Sequence, residues 1–422
     1  MRLFLGLCAL AAQSGVAFAQ TSPGSSADSL RLSRRQVIAE ALTRNAQLEI
    51  AREQTAQARA RRVSAIAVPD PVTTIGYDQI SGPLTLRGAP SKPASLELDI
   101  PFPDKFRLNN RAGWADIHAS ESNFRLTQQN VALQASSTYD SLLVALQHRD
   151  NLTEARDLAN DFLKRTQIRF DAGTAAKLDV IQAQVAVAQA NNDLIANERD
   201  VANAQASLNR TLGRIIGSAI APTDTLDLPA PLPDSTTIEQ LALANRPELK
   251  ILESQQLGAK ASTGLAKEFW LPDLTFAAGR DYAVPGPVLF TTGLSFPLPV
   301  FYYSHAKGDI AQAQHFEREL AATYRDTRAQ VTQDVRSAYA NANTAIKQAV
   351  FIRDELVPAA RDAYRVASTS YTLGGSSALE VLTARGALLQ ALSQLADALA
   401  DANSARADLD RALGIVPTGA RQ

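Results

Sequence analysis

The chain has 422 residues with 42 basic and 43 acidic side chains, and its formal net charge of -1 gives no electrostatic reason to expect nucleic acid. Hydrophobic residues make up 45%, much of it alanine, and aromatics only 6%. Past the N-terminus no segment approaches the roughly 18 uninterrupted apolar residues of a membrane helix, so a membrane crossing by this chain would use strands.

Residues 1–19 read as a signal peptide: Arg2 precedes an apolar run from Leu3 to Ala12, and Ala17-Phe18-Ala19 has the small-x-small form of a cleavage site. Gln20 is the expected mature start. The only cysteine, Cys8, lies within the apolar run and follows Leu7 rather than a small residue, which argues against a lipid anchor. Its removal leaves no thiol for disulfides, metal or nucleophilic chemistry.

The sequence is written twice. Phe170-Asp-Ala-Gly173 with Leu178-Asp179-Val180-Ile181 returns 201 residues later as Tyr371-Thr-Leu-Gly374 with Leu379-Glu380-Val381-Leu382. Ala206-x-Leu208-Asn209-Arg210-x-Leu212-Gly213 returns at the same offset as Ala407-x-Leu409-Asp410-Arg411-x-Leu413-Gly414. Ser137-Thr-Tyr139 returns as Ser337-Ala-Tyr339, one residue out of step. A Pro-rich connector carrying Pro222, Pro229, Pro231 and Pro233 separates the copies. The expected organisation is a first repeat over 20–215, a connector over 216–234, a second repeat over 235–414 and a tail over 415–422.

Each copy predicts a helix, two short strands, a very long helix, a tight turn and a second long helix. Ser33-x-x-Gln36 and Thr236-x-x-Glu239 have capping-box form, and Pro69, Pro71 and Pro272 halt the first helices. From Lys105 to Phe170 there is no proline, a length that would reach roughly 100 Å as a helix. A second proline-free run spans Ser304 to Leu356. Val381, Leu388, Leu395, Ala402 and Leu409 recur every seventh residue, matched by Val180, Val187, Leu194, Val201 and Leu208, so each long helix needs a helical partner.

Hairpins are expected at about 72–100 and 273–296. Leu96, Leu98 and Ile100 alternate with Glu97 and Asp99, and Leu274 and Phe276 stand opposite Phe290, Thr292, Leu294 and Phe296. One face suits lipid and the other water. Four strands cannot close, and open edges are not tolerated in hydrocarbon, so oligomerisation is expected. Three copies would give twelve strands. Phe102, Phe106, Trp270, Phe301, Tyr302 and Tyr303 cluster at the strand–helix junctions as candidate membrane-interface aromatics.

The paired Phe/Tyr-x-x-Gly-x-x-x-x-Leu-Asp/Glu-Val-Ile/Leu turns and the closing Ala-x-Leu-Asn/Asp-Arg-x-Leu-Gly resemble those of the TolC family of outer-membrane efflux proteins over nearly the whole mature chain. The Pro-x-Pro junction followed by Gly308-x-Ile310-x-x-Ala313 is similar to its CzcC-like heavy-metal branch. The resemblance implies a mainly α fold with a transmembrane β part: a homotrimer with a 12-stranded outer-membrane barrel and a periplasmic helical tunnel. It implies a passive exit duct in outer-membrane lipid, extending into the periplasm of a Gram-negative cell. Its partners would be a periplasmic adaptor and an inner-membrane pump of RND or ABC type. By the same resemblance the adaptor-docking tips are Phe170, Gly173, Thr174, Leu178, Tyr371, Gly374, Gly375, Ser376 and Leu379, and the periplasmic gate is Asp179, Glu380 and Tyr371. Ser376 and Thr383 stand where some relatives carry charged residues, so a salt-bridge latch from Ser376 to Asp179 is not available and the closed mouth would be held by hydrogen bonds or by packing around Tyr371. Asp179 and Glu380 also sit where a carboxylate stabilises a helix N-terminus.

Four histidines, His118, His148, His305 and His315, form no metal-ligand pair beyond a feeble Tyr303-x-His305, and no nucleophile motif or phosphate loop stands out. No catalytic residue, cofactor or metal is expected. The alternative is a periplasmic coiled-coil adaptor, which would carry one helical hairpin within β-rich flanking modules rather than two copies with amphipathic strands.

Overall fold

A computed structural model describes residues 30–76, 91–235, 237–283, 287–298 and 306–416. The predicted signal peptide, Thr236, Phe301, Tyr302 and Tyr303 lie outside the described residues.

Four long helical segments dominate. Helix α3 (Pro103–Asp171) is one helix of 69 residues, opened by Pro103 in the first turn, where its missing N–H costs nothing. It turns into α4 (Lys177–Thr211). In the second copy α7 (Lys307–Phe351) continues through a π-turn (Ile352–Leu356) into α8 (Val357–Thr372), which turns into α9 (Ala378–Ala412). The helices lie side by side as α4, α3, α9 and α7–α8.

The second long helix thus runs past the proline-free segment that ends at Leu356, and the π-turn explains how. Pro358 lacks an N–H and would clash in an unbroken α-helix; the wider turn just before it accommodates the ring. A π-turn is a one-residue insertion. Along the long helix before it the copies differ by 200 residues, pairing Val131 with Val331 and Tyr139 with Tyr339; after it they differ by 201, pairing Ala159 with Ala360 and Phe170 with Tyr371. The out-of-step Ser-x-Tyr motif has this cause.

The predicted first helix of each copy is two helices. In copy one, α1 (Arg34–Arg44) and α2 (Ala46–Ala65) break at Asn45, whose side chain accepts from the Gln47 N–H at 2.9 Å. In copy two, α5 (Ile238–Asn245) and α6 (Pro247–Lys267) break at Arg246, which Pro247 holds extended (φ -61°, ψ 120°). The Ser33–Gln36 capping box is present. The second expected box rests on Thr236, outside the described residues; α5 starts from Thr237 without a side-chain cap, and Glu239 pairs with Arg336.

Both closing motifs dock on these breaks. Gly213 (φ +65°) and Gly414 (φ +75°) end α4 and α9, and a β-carbon on them would lie 2.8 Å from the Arg44 carbonyl oxygen and 2.7 Å from the Asn245 carbonyl carbon. Only glycine meets both demands. Two equivalent cores result, one around Val37, Ala41, Leu48, Val131 and Leu208, the other around Ile238, Ala242, Leu249, Val331 and Leu409. A short parallel pair, β1 (Leu30–Leu32) with β4 (Ile220–Pro222), stitches the connector to the first copy. Beside it Arg34 pairs with Asp140 and donates to Asn403 at 3.0 Å, so α1, α3 and α9 share one polar tie.

The remaining strands, β2 (Val72–Ile75), β3 (Ser91–Ile100), β5 (Leu274–Ala283) and β6 (Val288–Ser295), form one antiparallel sheet in the order β2-β3-β5-β6. Its register puts Leu98, Phe276 and Leu294 abreast, with Ile100 beside Leu274 one step along the same face. Glu97 and Asp99 lie on the opposite face, where Thr275 donates to Asp99 at 2.5 Å. Neither face is covered by the protomer: Ile75, Leu96, Phe276, Phe290 and Leu294 are all exposed.

Candidate functional site at the hairpin tips

At the end of the long helices farthest from the sheet, each hairpin reverses through a glycine in the left-handed region, Gly173 at φ +73° and Gly374 at φ +83°. The Thr174 N–H donates to the Arg169 carbonyl at 2.8 Å, and the Gly375 N–H to the Ser370 carbonyl at 2.9 Å, so both turns close the same way. Ordinary side chains are strained at such a φ, although the space around Gly173 is open.

The two acidic residues cap their own helices. The Asp179 carboxylate accepts from the Ala176 N–H at 3.3 Å, and Glu380 forms a full capping box with Ser377, accepting its N–H at 3.2 Å. These bonds do not extend between hairpins. Ser376 donates to the Ala367 carbonyl at 3.0 Å, tightening its own turn. Leu178, Leu379, Thr174 and the turn glycines are exposed at the tips, with Phe170 partly so.

Tyr371 differs from the other docking candidates, being only 2% exposed. Its ring packs against Phe162 (centroids 5.3 Å apart) in a buried cluster that also holds Ala183, Ala378 and Val381, so it joins the first hairpin to the second. Thr166 donates to the Phe162 carbonyl, and Tyr371 donates to the Thr166 hydroxyl at 3.3 Å. The Arg169 guanidinium lies 4.4 Å from the centre of the Tyr371 ring, donates to the Tyr371 carbonyl, and donates to the Thr174 carbonyl at 3.1 Å. One arginine therefore ties both turns together. Sequence reasoning missed Arg169, Thr166 and Phe162. The available signal was the repeat itself, which sets Arg169 against the small Ser370.

At the other end, Trp270 is exposed beside the start of β5, while Phe102 and Phe106 are half-buried at the start of α3. Asp273 accepts from the Phe102 N–H at 3.1 Å and pairs with Lys105 at 2.8 Å, fixing the strand-to-helix bend. Among the described residues no group of three or more His, Cys, Asp or Glu could hold a metal ion, and no helix is long and apolar enough to cross a membrane.

Residues 37–214 and 238–415 each match the outer membrane efflux protein family. The chain belongs to that family. It is accordingly an outer-membrane efflux channel component of a Gram-negative cell, a transport protein by class. Among curated relatives it is similar to the outer membrane protein TolC of Vibrio cholerae, with 24% identity over 350 residues, covering 77% of this chain and 78% of that one. It is also similar to the cobalt-zinc-cadmium resistance protein CzcC of Cupriavidus metallidurans, with 24% identity over 311 residues, covering 71% and 73%. Among solved structures it resembles CusC, with a TM-score of 0.77 and 18% identity over 94% of this chain and 96% of that one, a likeness of fold.

Proposed function

We propose that this chain is one third of a homotrimeric exit duct whose twelve-stranded barrel crosses the outer membrane and whose helical hairpins form a tunnel across the periplasm. The carrying observation is the open four-stranded sheet, apolar on one face around Leu98, Phe276 and Leu294 and acidic on the other at Glu97 and Asp99, continuous through tight bends with helices up to 69 residues long. Such a sheet has unpaired edges and an uncovered apolar face; closure with two more copies removes the edges and turns the apolar face to lipid. Leu98, Phe276 and Leu294 face hydrocarbon, Glu97 and Asp99 face the water-filled lumen, and Trp270, Phe102 and Phe106 mark the periplasmic interface.

The hairpin tips are the working end. Gly173, Thr174, Leu178, Gly374, Gly375, Ser376 and Leu379 offer an exposed surface to a periplasmic adaptor, which couples the duct to an inner-membrane pump that selects the cargo. Tyr371, held by Arg169 and Thr166, is the gate tie within each protomer, and Asp179 and Glu380 bring carboxylates to the mouth while starting their helices. The duct catalyses nothing; cargo passes along it. The two family-matched segments support two repeats joined by the connector at 216–234, and the signal peptide at 1–19 is read from the apolar run and Ala17-Phe18-Ala19.

The test replaces Gly374 with Val. A β-branched residue at φ +83° distorts the tip, and the expected result is normal trimer in the outer membrane with impaired export. Trimers with unimpaired export would refute the tip assignment. Recovery of the wild-type protein as a soluble monomer would refute the duct itself.

A further inference from the structure

The duplication carries information about assembly that a single protomer leaves unused. Within the protomer the two hairpins meet where α3 packs on α9. That junction carries polar ties beside its apolar clusters: His148 contacts Asp397 at 3.0 Å, Asn151 donates to the Leu392 carbonyl at 3.3 Å, and Arg169 ties Tyr371 at the tip. In the repeat, α3 corresponds to α7–α8 and α9 corresponds to α4. These are the two flanks of the protomer, α4 on one side and α7–α8 on the other, and among the described residues they do not pack along their length on each other. A head-to-tail ring of copies brings them together and repeats the internal junction at every boundary.

The residues at equivalent positions have changed character. Asn151 becomes Phe351, which is 55% exposed immediately before the π-turn, and Ala396, buried on α9, becomes Ile195 on α4, which is 67% exposed. At the tip, buried Tyr371 becomes Phe170, and its partners Phe162, Thr166 and Arg169 become Ala363, Ala367 and Ser370. Small side chains there leave a slot for an aromatic ring. Two large apolar side chains exposed on opposite flanks, each at a position matched inside the protomer, fit one occupant: a second copy of this chain.

We propose that the seam between protomers seats Phe351 of one copy against Ile195 of the next and Phe170 of the next against Ala363, Ala367 and Ser370, pairing apolar side chains where the matched position inside the protomer has Asn151. It rests on the ring assembly proposed above.

The test uses the full chain in outer membranes, with Phe351→Cys and Ile195→Cys together and a short bis-maleimide as crosslinker; Phe170→Cys with Ala367→Cys is an independent pair should the first fail to assemble. Expected is a ladder of crosslinked dimer and trimer from each double variant that assembles, absent from the single variants and from Val63→Cys with Ile195→Cys. Trimers seen by native mass measurement without a ladder from either pair would overturn the seam and leave the duct standing. A protein that is monomeric by the same measurement would overturn both. A ladder from the Val63 pair equal to that from the Phe351 pair would also overturn it, because contact would then be nonspecific.

Discussion

Removing Arg169 should loosen the contact between the two hairpin tips, the proposed mouth of the duct, by an amount that the geometry bounds. Arg169→Ala deletes charge-assisted hydrogen bonds to the carbonyls of Tyr371 and Thr174 and the cation–π contact with the Tyr371 ring. A hydrogen bond from a charged group contributes roughly 1.5–3 kcal/mol, and a cation–π contact at an exposed site roughly 0.5–1. The guanidinium is partly exposed, so solvent screening reduces both. A net loss of about 2 kcal/mol is expected, roughly a 30-fold shift toward separated tips. Tyr371 itself keeps Phe162 and Thr166, so the hairpins should remain folded. The assay is single-channel conductance of purified trimer in a planar bilayer, with amide exchange over 162–175 and 366–378 as the local readout. Conductance and exchange should both rise; Arg169→Lys, which keeps the charge but loses the planar fork, should fall between. Conductance and tip exchange identical to wild type in Arg169→Ala would refute the reasoning that this side chain holds the mouth.

Three further outcomes follow from named contacts. Gly414→Ala would place a β-carbon 2.7 Å from the Asn245 carbonyl carbon at φ +75° and should destabilise by about 3 kcal/mol, read as a lowered thermal midpoint, whereas Gly386→Ala in α9, with open space around it, should be stabilising by about 0.5–1 kcal/mol. Asp140, its side chain 5% exposed beside Arg34, is pushed up to about 6 from 3.8 by burial. Its folded form therefore holds a proton more tightly than its unfolded form, and the resulting penalty of about 3 kcal/mol at pH 7.5 is relieved as pH falls through 6 toward 4. Acidification from pH 7.5 to 5 should thus protect amides over 134–144 in the wild type relative to Asp140→Asn, and equal slopes in the two proteins would contradict this. Phe276→Arg, between Leu98 and Leu294 on the lipid-facing side, should cost roughly 2–4 kcal/mol and block trimer insertion into vesicles, while Glu97→Arg on the other face should insert normally and shift ion selectivity toward anions.

Much of this architecture was legible in the amino-acid order. Periodicity depends on local geometry, so the two copies, the heptad seams, the glycine turns and the alternation in β3, β5 and β6 could be read directly. The matched motifs pointed to both hairpin tips and to the family. Breaks and caps were harder. Asn45 and Arg246 interrupt helices at positions where the apolar pattern continues, and the π-turn was visible only as a one-residue slip between Tyr139 and Tyr339 that had no assigned cause.

By itself the sequence determined which segments are helix or strand and which faces are apolar, because those follow from side-chain spacing along one chain. Only the tertiary structure decided what meets across the chain. It assigned the closing glycines Gly213 and Gly414 to the helix breaks, buried Tyr371 between hairpins rather than at an adaptor-facing surface, and brought Arg169 from 202 residues away to hold it. Asp179 and Glu380 were resolved as caps of their own helices for the same reason: the competition between a local partner and a distant one is settled by distances that no sequence pattern contains.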